Sequence, residues 1–352
     1  MQNETKKDIK SLTLPMLQEE LKAMGEPAFR GSQIFEWLGR GVRSFEEMTN
    51  VSQKLRQRLE EDYYISSLRV LRKQVSARDG TIKYLWELED GNSVESVVMS
   101  YAHGNTVCIS SQVGCRMGCA FCASTLGGRV RDLLPSEMLD QVMYSQMESG
   151  KRISNIVMMG IGEPLENFEN VLRFLSLVND PKGMGIGMRH ISLSTCGLTE
   201  TVDKLAEHNL QLTLSVSLHA PDDETRSRLM PINRKYGVDN VLAACERYFQ
   251  KTGRRVSYEY AMVRGVNDTP RHAALLGEKL KGTGSHVNLI PLNHVEERDL
   301  QPSTRETVDR FEAELKRHGI NVTVRRRLGG DIDASCGQLR RKSTMAPSGR
   351  QE

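Results

Sequence analysis

Cys108-Ile-Ser-Ser-Gln-Val-Gly-Cys115-Arg-Met-Gly-Cys119-Ala-Phe-Cys122 is the stretch around which the chain is organised, and it holds four of the seven cysteines. Cys115, Cys119 and Cys122 read C-x3-C-x2-C. Three thiolates this close on one loop can each hold one iron of a cubane cluster and leave the fourth iron without a protein ligand. An open metal position is where chemistry takes place, whereas a fully ligated one serves structure or electron relay. Gly114 and Gly118 suit a loop that must wrap closely around a bulky core, and Phe121 offers an apolar cover against water. Two other readings stay open. One is zinc with a distant fourth ligand, although a zinc ribbon needs a second C-x2-C pair. The other is plain buried cysteines. A disulfide framework is not expected of an odd number of cysteines in a chain with no sign of secretion.

With 352 residues the chain is long enough for one large domain and a small one around a substantial core. The formal charge of +3 permits RNA binding without arguing for it. The first residues, Met-Gln-Asn-Glu-Thr-Lys-Lys-Asp, lack the apolar run of a signal peptide. No apolar stretch is long enough to span a bilayer. A reducing, cytoplasmic location is therefore expected, without a membrane, and it suits free thiolates and an oxygen-sensitive cluster.

Outward from the cysteines the pattern changes twice. Upstream, Leu14, Leu17, Leu21 and Met24 recur at helical spacing until Gly25 and Pro27 stop the run. Ile34, Trp37 and Leu38, then Val51, Leu55 and Leu59, make two further apolar faces, so residues 1–65 read as a small helical domain. Its cations Arg30, Lys54, Arg56 and Arg58 read as a solvated face. Ile82, Tyr84, Trp86 and Leu88 alternate with period two, and Asp79-Gly80, Asp90-Gly91 and His103-Gly104-Asn105 are turn signals. Residues 66–104 thus form a β meander leading into a strand with Val107 and Ile109.

Downstream, strands at 154–160, 189–195, 211–217, 256–263 and 286–291 alternate with helices at 135–149, 166–178, 199–207, 238–250, 271–281 and 303–318. That spacing implies six βα units and a parallel sheet spanning 105–342, followed by a polar tail at 343–352. The polar and glycine motifs then fall at the C-terminal ends of strands, where such folds carry their sites.

Glycines in Gly160-Ile-Gly162-Glu163-Pro164 let a ligand approach the backbone, and a carboxylate there can pair with an ammonium group; alone the motif also fits a tight turn. Ser194, Ser217, His219 and Asn293 can donate or accept hydrogen bonds at the mouth, as ordinary strand-end polar residues also do. Cys336 lies in a polar, glycine-flanked loop, Asp331-Ile-Asp-Ala-Ser-Cys-Gly-Gln, of a kind that can move and react. Cys196 and Cys245 read as small buried residues. Arg325-Arg-Arg327 and Arg340-Arg-Lys342 flank the Cys336 loop and read either as solvated faces or as phosphate contacts.

C-x3-C-x2-C resembles the cluster motif of radical S-adenosylmethionine (SAM) enzymes. The longer run from Cys108 to Cys122 resembles the RlmN/Cfr family of radical SAM RNA adenosine methyltransferases. Further matches, in family order, are Val157–Leu165, Leu193–Thr195, Ser217–Pro221, Met230–Asn233 and Asp331–Leu339, so the resemblance covers about 95 to 340. It implies an α/β fold, a partial (β/α)6 radical SAM barrel with a small N-terminal helical accessory domain. It also implies a 4Fe–4S cluster on Cys115, Cys119 and Cys122, and SAM bound by Gly162, Glu163, Ser194, Ser217, Leu218, His219 and Asn293. An adenine carbon between two nitrogens is electron-poor and attacks the SAM methyl poorly, so the family adds a carbon radical instead. By the resemblance, one SAM methylates Cys336, and a second is cleaved to a deoxyadenosyl radical that takes hydrogen from that methyl. The carbon radical then attacks the adenine, Glu95 or another base removes the ring proton, and Cys108 frees the product by forming a disulfide with Cys336. Gly-Glu-Pro at 162–164 looks closer to the RlmN branch, which methylates carbon 2 of an adenosine in 23S rRNA and of one beside the tRNA anticodon. The alternatives are Cfr-type carbon 8 methylation, which gives antibiotic resistance, and a non-catalytic, metal-stabilised RNA-binding protein. A monomer with an electron donor such as flavodoxin or ferredoxin is expected.

Overall fold

The computed structural model describes residues 6–339 apart from 294 and 296. Arg340-Arg-Lys342 and the polar tail lie outside the described residues.

A short strand β1 (Lys7–Asp8) opens the helical part, followed by α1 (Leu14–Ala23), α2 (Phe29–Gly39), α3 (Gln53–Asp62) and β2 (Tyr63–Tyr64), which pairs in parallel with β1. The apolar stripes read from the sequence are the faces these helices bury: Leu17 and Leu21, Ile34 and Leu38, Leu55 and Leu59 are all in the core. A buried ion pair fastens this part to the rest. The Lys10 ammonium donates to Asp140 at 2.9 Å and to the Ser66 carbonyl at 2.6 Å, with both charged side chains out of water.

The meander strands β3 (Arg69–Val75), β4 (Ile82–Glu87) and β5 (Ser93–Tyr101) are antiparallel, and β5 pairs antiparallel with β6 (Gly104–Cys108). Strand β6 then changes the sheet's sense. After the small hairpin β7 (Gln112–Gly114) and β8 (Arg129–Asp132) and helix α4 (Pro135–Ser149), strand β9 (Ile153–Met158) pairs with β6 in parallel. From there βα units continue as α5 (Phe168–Asn179), β10 (Ile191–Thr195), α6 (Thr199–Glu207), β11 (Thr213–Ser217), α7 (Asp223–Leu229), α8 (Val238–Thr252), β12 (Ser257–Met262), α9 (Pro270–Leu280), β13 (His286–Pro291), α10 (Arg305–Arg317) and β14 (Asn321–Val324).

Meander and parallel strands form one ten-stranded sheet in the order β14-β13-β12-β11-β10-β9-β6-β5-β4-β3. The sheet is open, and it is curled: residues of β5 and β6 wall the same cleft as residues of β13 and β14. The partial barrel therefore has seven parallel strands where the periodicity implied six. Strand β14 escapes sequence reading because Asn-Val-Thr-Val is a four-residue edge strand with no buried position. Helix α7, seven residues rich in charge, also gives no apolar stripe to read.

Candidate active site

The hairpin β7–β8 closes the base of the cysteine loop, where the Cys115 amide donates to the Gly128 carbonyl at 3.0 Å. Gly114 is obligatory there: its φ is +75°, and an added Cβ would lie 1.8 Å from the Gly128 oxygen. Within the loop, Thr125 Oγ1 donates to the carbonyls of Cys122 and Cys119. Cys115, Cys119 and Cys122 all line one cavity at the C-terminal mouth of the sheet, with Phe121, Gly162, Glu163, Ser194, Ser217, His219, Asn293 and Cys336 on its other walls.

The donor set fits a cubane cluster. Burial pushes the Cys115 thiol up to about 12 and raises Cys119 and Cys122 as well, with the neighbouring thiols adding to the rise. Three such thiols around one cavity lack positive charge, which iron supplies by displacing their protons. Three thiols lining one cavity are the donor set that three irons of such a cluster take.

Opposite the thiols, Gly162 has φ +108°, and a Cβ there would stand 2.6 Å from Gln112. Glu163 is 3 % exposed and fixed by two amides, Leu165 N–H at 3.0 Å and Cys196 N–H at 2.7 Å. Burial raises its carboxyl and these amides pull it back. Arg226 on α7, wholly buried, donates to the carbonyls of Cys196, Ser217, Leu218 and Tyr236 and to Asn233 Oδ1. One guanidinium thereby sets the ends of β10 and β11, which anchor Glu163 through the Cys196 amide and present Ser217. His219 sits at φ +58°, its ring edge-on to Phe121 at 4.8 Å. The Ala261 amide donates to its Nδ1 at 2.9 Å, so Nε2 carries the proton, and burial drives the imidazole down to about 3. Leu218 has its side chain in the core and lines no part of the cavity. Cys196 lines the cavity beside Glu163, while Cys245 is core on α8.

Cys336 is exposed and belongs to two walls at once. It lines the thiol cavity and also a second, outer cleft, where Cys108, Val97, Met99, Tyr101, Ile290 and Arg325–Arg327 join it. Cys108 ends β6, 8 % exposed, and burial first, then Cys336, pushes its thiol up to about 12. All seven cysteines are free thiols, so a Cys108–Cys336 disulfide is not a feature of this state.

The Cys336 loop is tied on both sides. Towards the cysteine loop, Ala123 N–H donates to Gly337 O at 2.8 Å and Ser124 Oγ to Leu339 O at 2.6 Å, and from just past the end of β13 Asn293 Nδ2 donates to Cys336 O at 3.0 Å. Towards the β3–β4 turn, Ser76 Oγ donates to Asp331 at 2.7 Å, Gly329 N–H to Asp79 at 2.9 Å and Lys83 Nζ to Asp333 O at 3.0 Å. The same Lys83 is paired with Glu95 at 2.9 Å, and both side chains are buried. Glu95 lies on the face of β5 that presents Val97, Met99 and Tyr101 to the outer cleft, although it is not itself part of the lining.

Two residues here have roles that the sequence did not disclose: Arg325 read only as one of three like charges, and Glu259 went unread. Arg325 Nη1 donates towards Met159 Sδ at 3.4 Å and Cys336 Sγ at 3.7 Å, and Glu259 beside it keeps the guanidinium charged. Glu259 takes Asn288 Nδ2 at 2.9 Å on one oxygen and leaves the other, buried, without a hydrogen bond. An acid in Ser-Tyr-Glu-Tyr-Ala-Met, a strand otherwise fit for the core, was the available signal.

A family model for the radical SAM superfamily matches residues 109–276, and one for the ribosomal RNA large subunit methyltransferase N-terminal domain matches 7–65. A protein of Alkaliphilus oremlandii named probable dual-specificity RNA methyltransferase RlmN is 52% identical, covering 95% of this chain and 98% of its own. A relative of the same name from Clostridium perfringens is 50% identical over 95% of this chain and 97% of its own. The crystal structure of a radical SAM methyltransferase from Sphaerobacter thermophilus superposes with a TM-score of 0.90 at 42% identity, covering 96% of this chain and 100% of that one.

Proposed function

The chain belongs to the RlmN family within the radical SAM superfamily, and from that premise we propose that it methylates carbon 2 of adenosine in RNA. The substrates proposed are 23S rRNA and the adenosine next to the anticodon of tRNA, with an electron donor such as flavodoxin or ferredoxin. The observation that carries the reading is the double exposure of Cys336, to the thiol cavity on one side and to a basic cleft containing Cys108 on the other. A group carried on its sulfur can be loaded from one side and delivered to the other.

A 4Fe–4S cluster and SAM held in the cavity supply the one-electron chemistry that makes a carbon radical. The chain's own residues do the rest. Cys115, Cys119 and Cys122 ligate the cluster. Glu163, fixed by two amides, receives the ammonium group of SAM. Ser194, Ser217 and His219 offer hydroxyls and the Nε2 proton to its remaining polar atoms, Gly162 lets it lie against the backbone, and Leu218 serves through its main chain. Asn293 holds the Cys336 carbonyl and stands beside the same space. Glu95 accepts the proton leaving the adenine ring. The Cys108 thiolate attacks the Cys336 sulfur, forming an S–S bond as the S–C bond breaks; that bond's electron pair leaves on the product carbon, which takes up a proton.

The test is position-resolved nucleoside analysis. Anaerobically reconstituted protein, SAM, a reductant and a tRNA or 23S rRNA transcript should yield 2-methyladenosine. Product at carbon 8 would instead place the chain with Cfr, and an intact cluster with no methylated nucleoside would favour a non-catalytic RNA-binding role.

A further inference from the structure

We propose that the outer cleft seats the target nucleotide of the RNA, with the Tyr101 ring as the stacking platform for its base and Arg326 as the contact for its phosphate. The proposal rests on the RNA methyltransferase reading above and assigns it a substrate site.

Tyr101 ends β5 at the rim of the cleft, and its ring stacks on that of His103, with centroids 5.2 Å apart and planes 13° from parallel. Both residues are exposed. Two stacked rings beside water, not covered by the core, present a flat π surface of the kind an unstacked base settles on. Tyr101 lines the same cleft as both thiols, Cys108 and Cys336. Below it the wall is apolar, with Val97, Met99, Val157 and Ile290.

The three arginines divide the work. Arg325 is engaged with Glu259, Met159 and Cys336. Arg327 donates to the Leu292 carbonyl at 2.8 Å. Arg326 is exposed, lines the same cleft, and has no hydrogen-bond or ion-pair partner among the described residues. An enzyme acting on a ring carbon must take the base out of its stack, and it needs a π face for the ring, an apolar slot and a cation for the displaced phosphate. This cleft has all three, and both cysteines line it. An acidic peptide would use the arginines but not the stacked rings.

The experiment uses the whole chain, reconstituted and without SAM, and a tRNA anticodon stem–loop transcript as the probe. Anisotropy titrations compare wild type with Tyr101→Ala, Tyr101→Phe and Arg326→Gln. Tyr101→Ala should weaken binding roughly tenfold, and Tyr101→Phe, which keeps the ring, should restore it. Arg326→Gln, an exposed change that leaves the core untouched, should lower the slope of log K against log salt by about one. Tyr101→Ala binding within twofold of wild type, Tyr101→Phe as weak as Tyr101→Ala, or an unchanged salt slope for Arg326→Gln would each overturn the assignment. So would displacement of the RNA by polyglutamate at equal charge. If wild-type protein methylates RNA while these variants bind normally, only the cleft assignment falls. If wild type methylates no RNA, the functional reading falls and takes the cleft with it.

Discussion

The thiol cavity and the outer cleft share five lining residues, Met159, Ile290, Asn293, Arg325 and Cys336, yet they are opposite environments. On the cavity side thiols are pushed up by burial, the imidazole of His219 is held neutral, and the Glu163 carboxylate is fixed by backbone amides. On the cleft side exposed guanidiniums and stacked rings face water. The difference shows how one fold serves two incompatible needs. A dry cavity strengthens every electrostatic contact to a cofactor and protects a reactive intermediate. A wet, cationic cleft captures a polyanion. The partition between them joins Met159, Ile290, Asn293 and Arg325 to the Cys336 loop, residues 329–339, which is pinned by hydrogen bonds from both sides.

The largest effect that would break this contrast is on the dry side. Changing Cys115, Cys119 and Cys122 together to Ala should reduce bound iron and sulfide of the reconstituted protein to background, while retained iron would remove the cluster from the cavity. Next comes the partition. Lys83→Met leaves the buried Glu95 carboxylate without its ammonium partner and frees the Asp333 carbonyl. It should cost about 3–5 kcal/mol in urea unfolding, and adding Glu95→Gln should recover most of that. A single variant as stable as wild type would mean that the pair does not hold the loop.

His219 sharpens the dry side further. Its imidazole falls from 6.5 when unfolded to about 3 when folded, so the folded state binds fewer protons below pH 6.5. Stability is therefore complete above pH 6.5 and is lost as the pH falls towards 3. Thermal melts of wild type should weaken by up to about 1.4 kcal/mol for each unit of acidification, and His219→Gln should flatten that slope. Equal slopes would mean that the ring is wetted. The smallest effect is at the clasp: Ser76→Ala removes one hydrogen bond to Asp331, about 1 kcal/mol. Amides at Gly329 and Ala334 should exchange faster while those of the cysteine loop do not change.

What the sequence discloses is what is local. The cysteine loop, the alternation of strand and helix, and the reactive loop at 331–339 depend on spacing or period, and the structure has each where these place it. Cys336 was legible as a candidate from its loop and Glu95 only through the family resemblance, but the lysine joining Glu95 to that loop was not. Lys83 and Asp333 are 250 residues apart, and a contact of that range leaves no local pattern. The merging of the meander with the parallel sheet is equally silent, because β6 pairs antiparallel on one side and parallel on the other. Arg325 read as one of three like charges, and only its neighbours separate it from Arg326.

An open sheet of ten strands has two free margins, and each is a template on which a stray strand could crystallise into polymer. Here β3 carries Arg69, Arg72 and Lys73 and breaks register between Val70 and Arg72, while β14 stops after four residues and runs straight into Arg325-Arg-Arg327. The same arginine run proposed to face RNA thus also caps a raw edge, so discharging it would put the solubility of the chain at risk along with the proposed grip on a substrate.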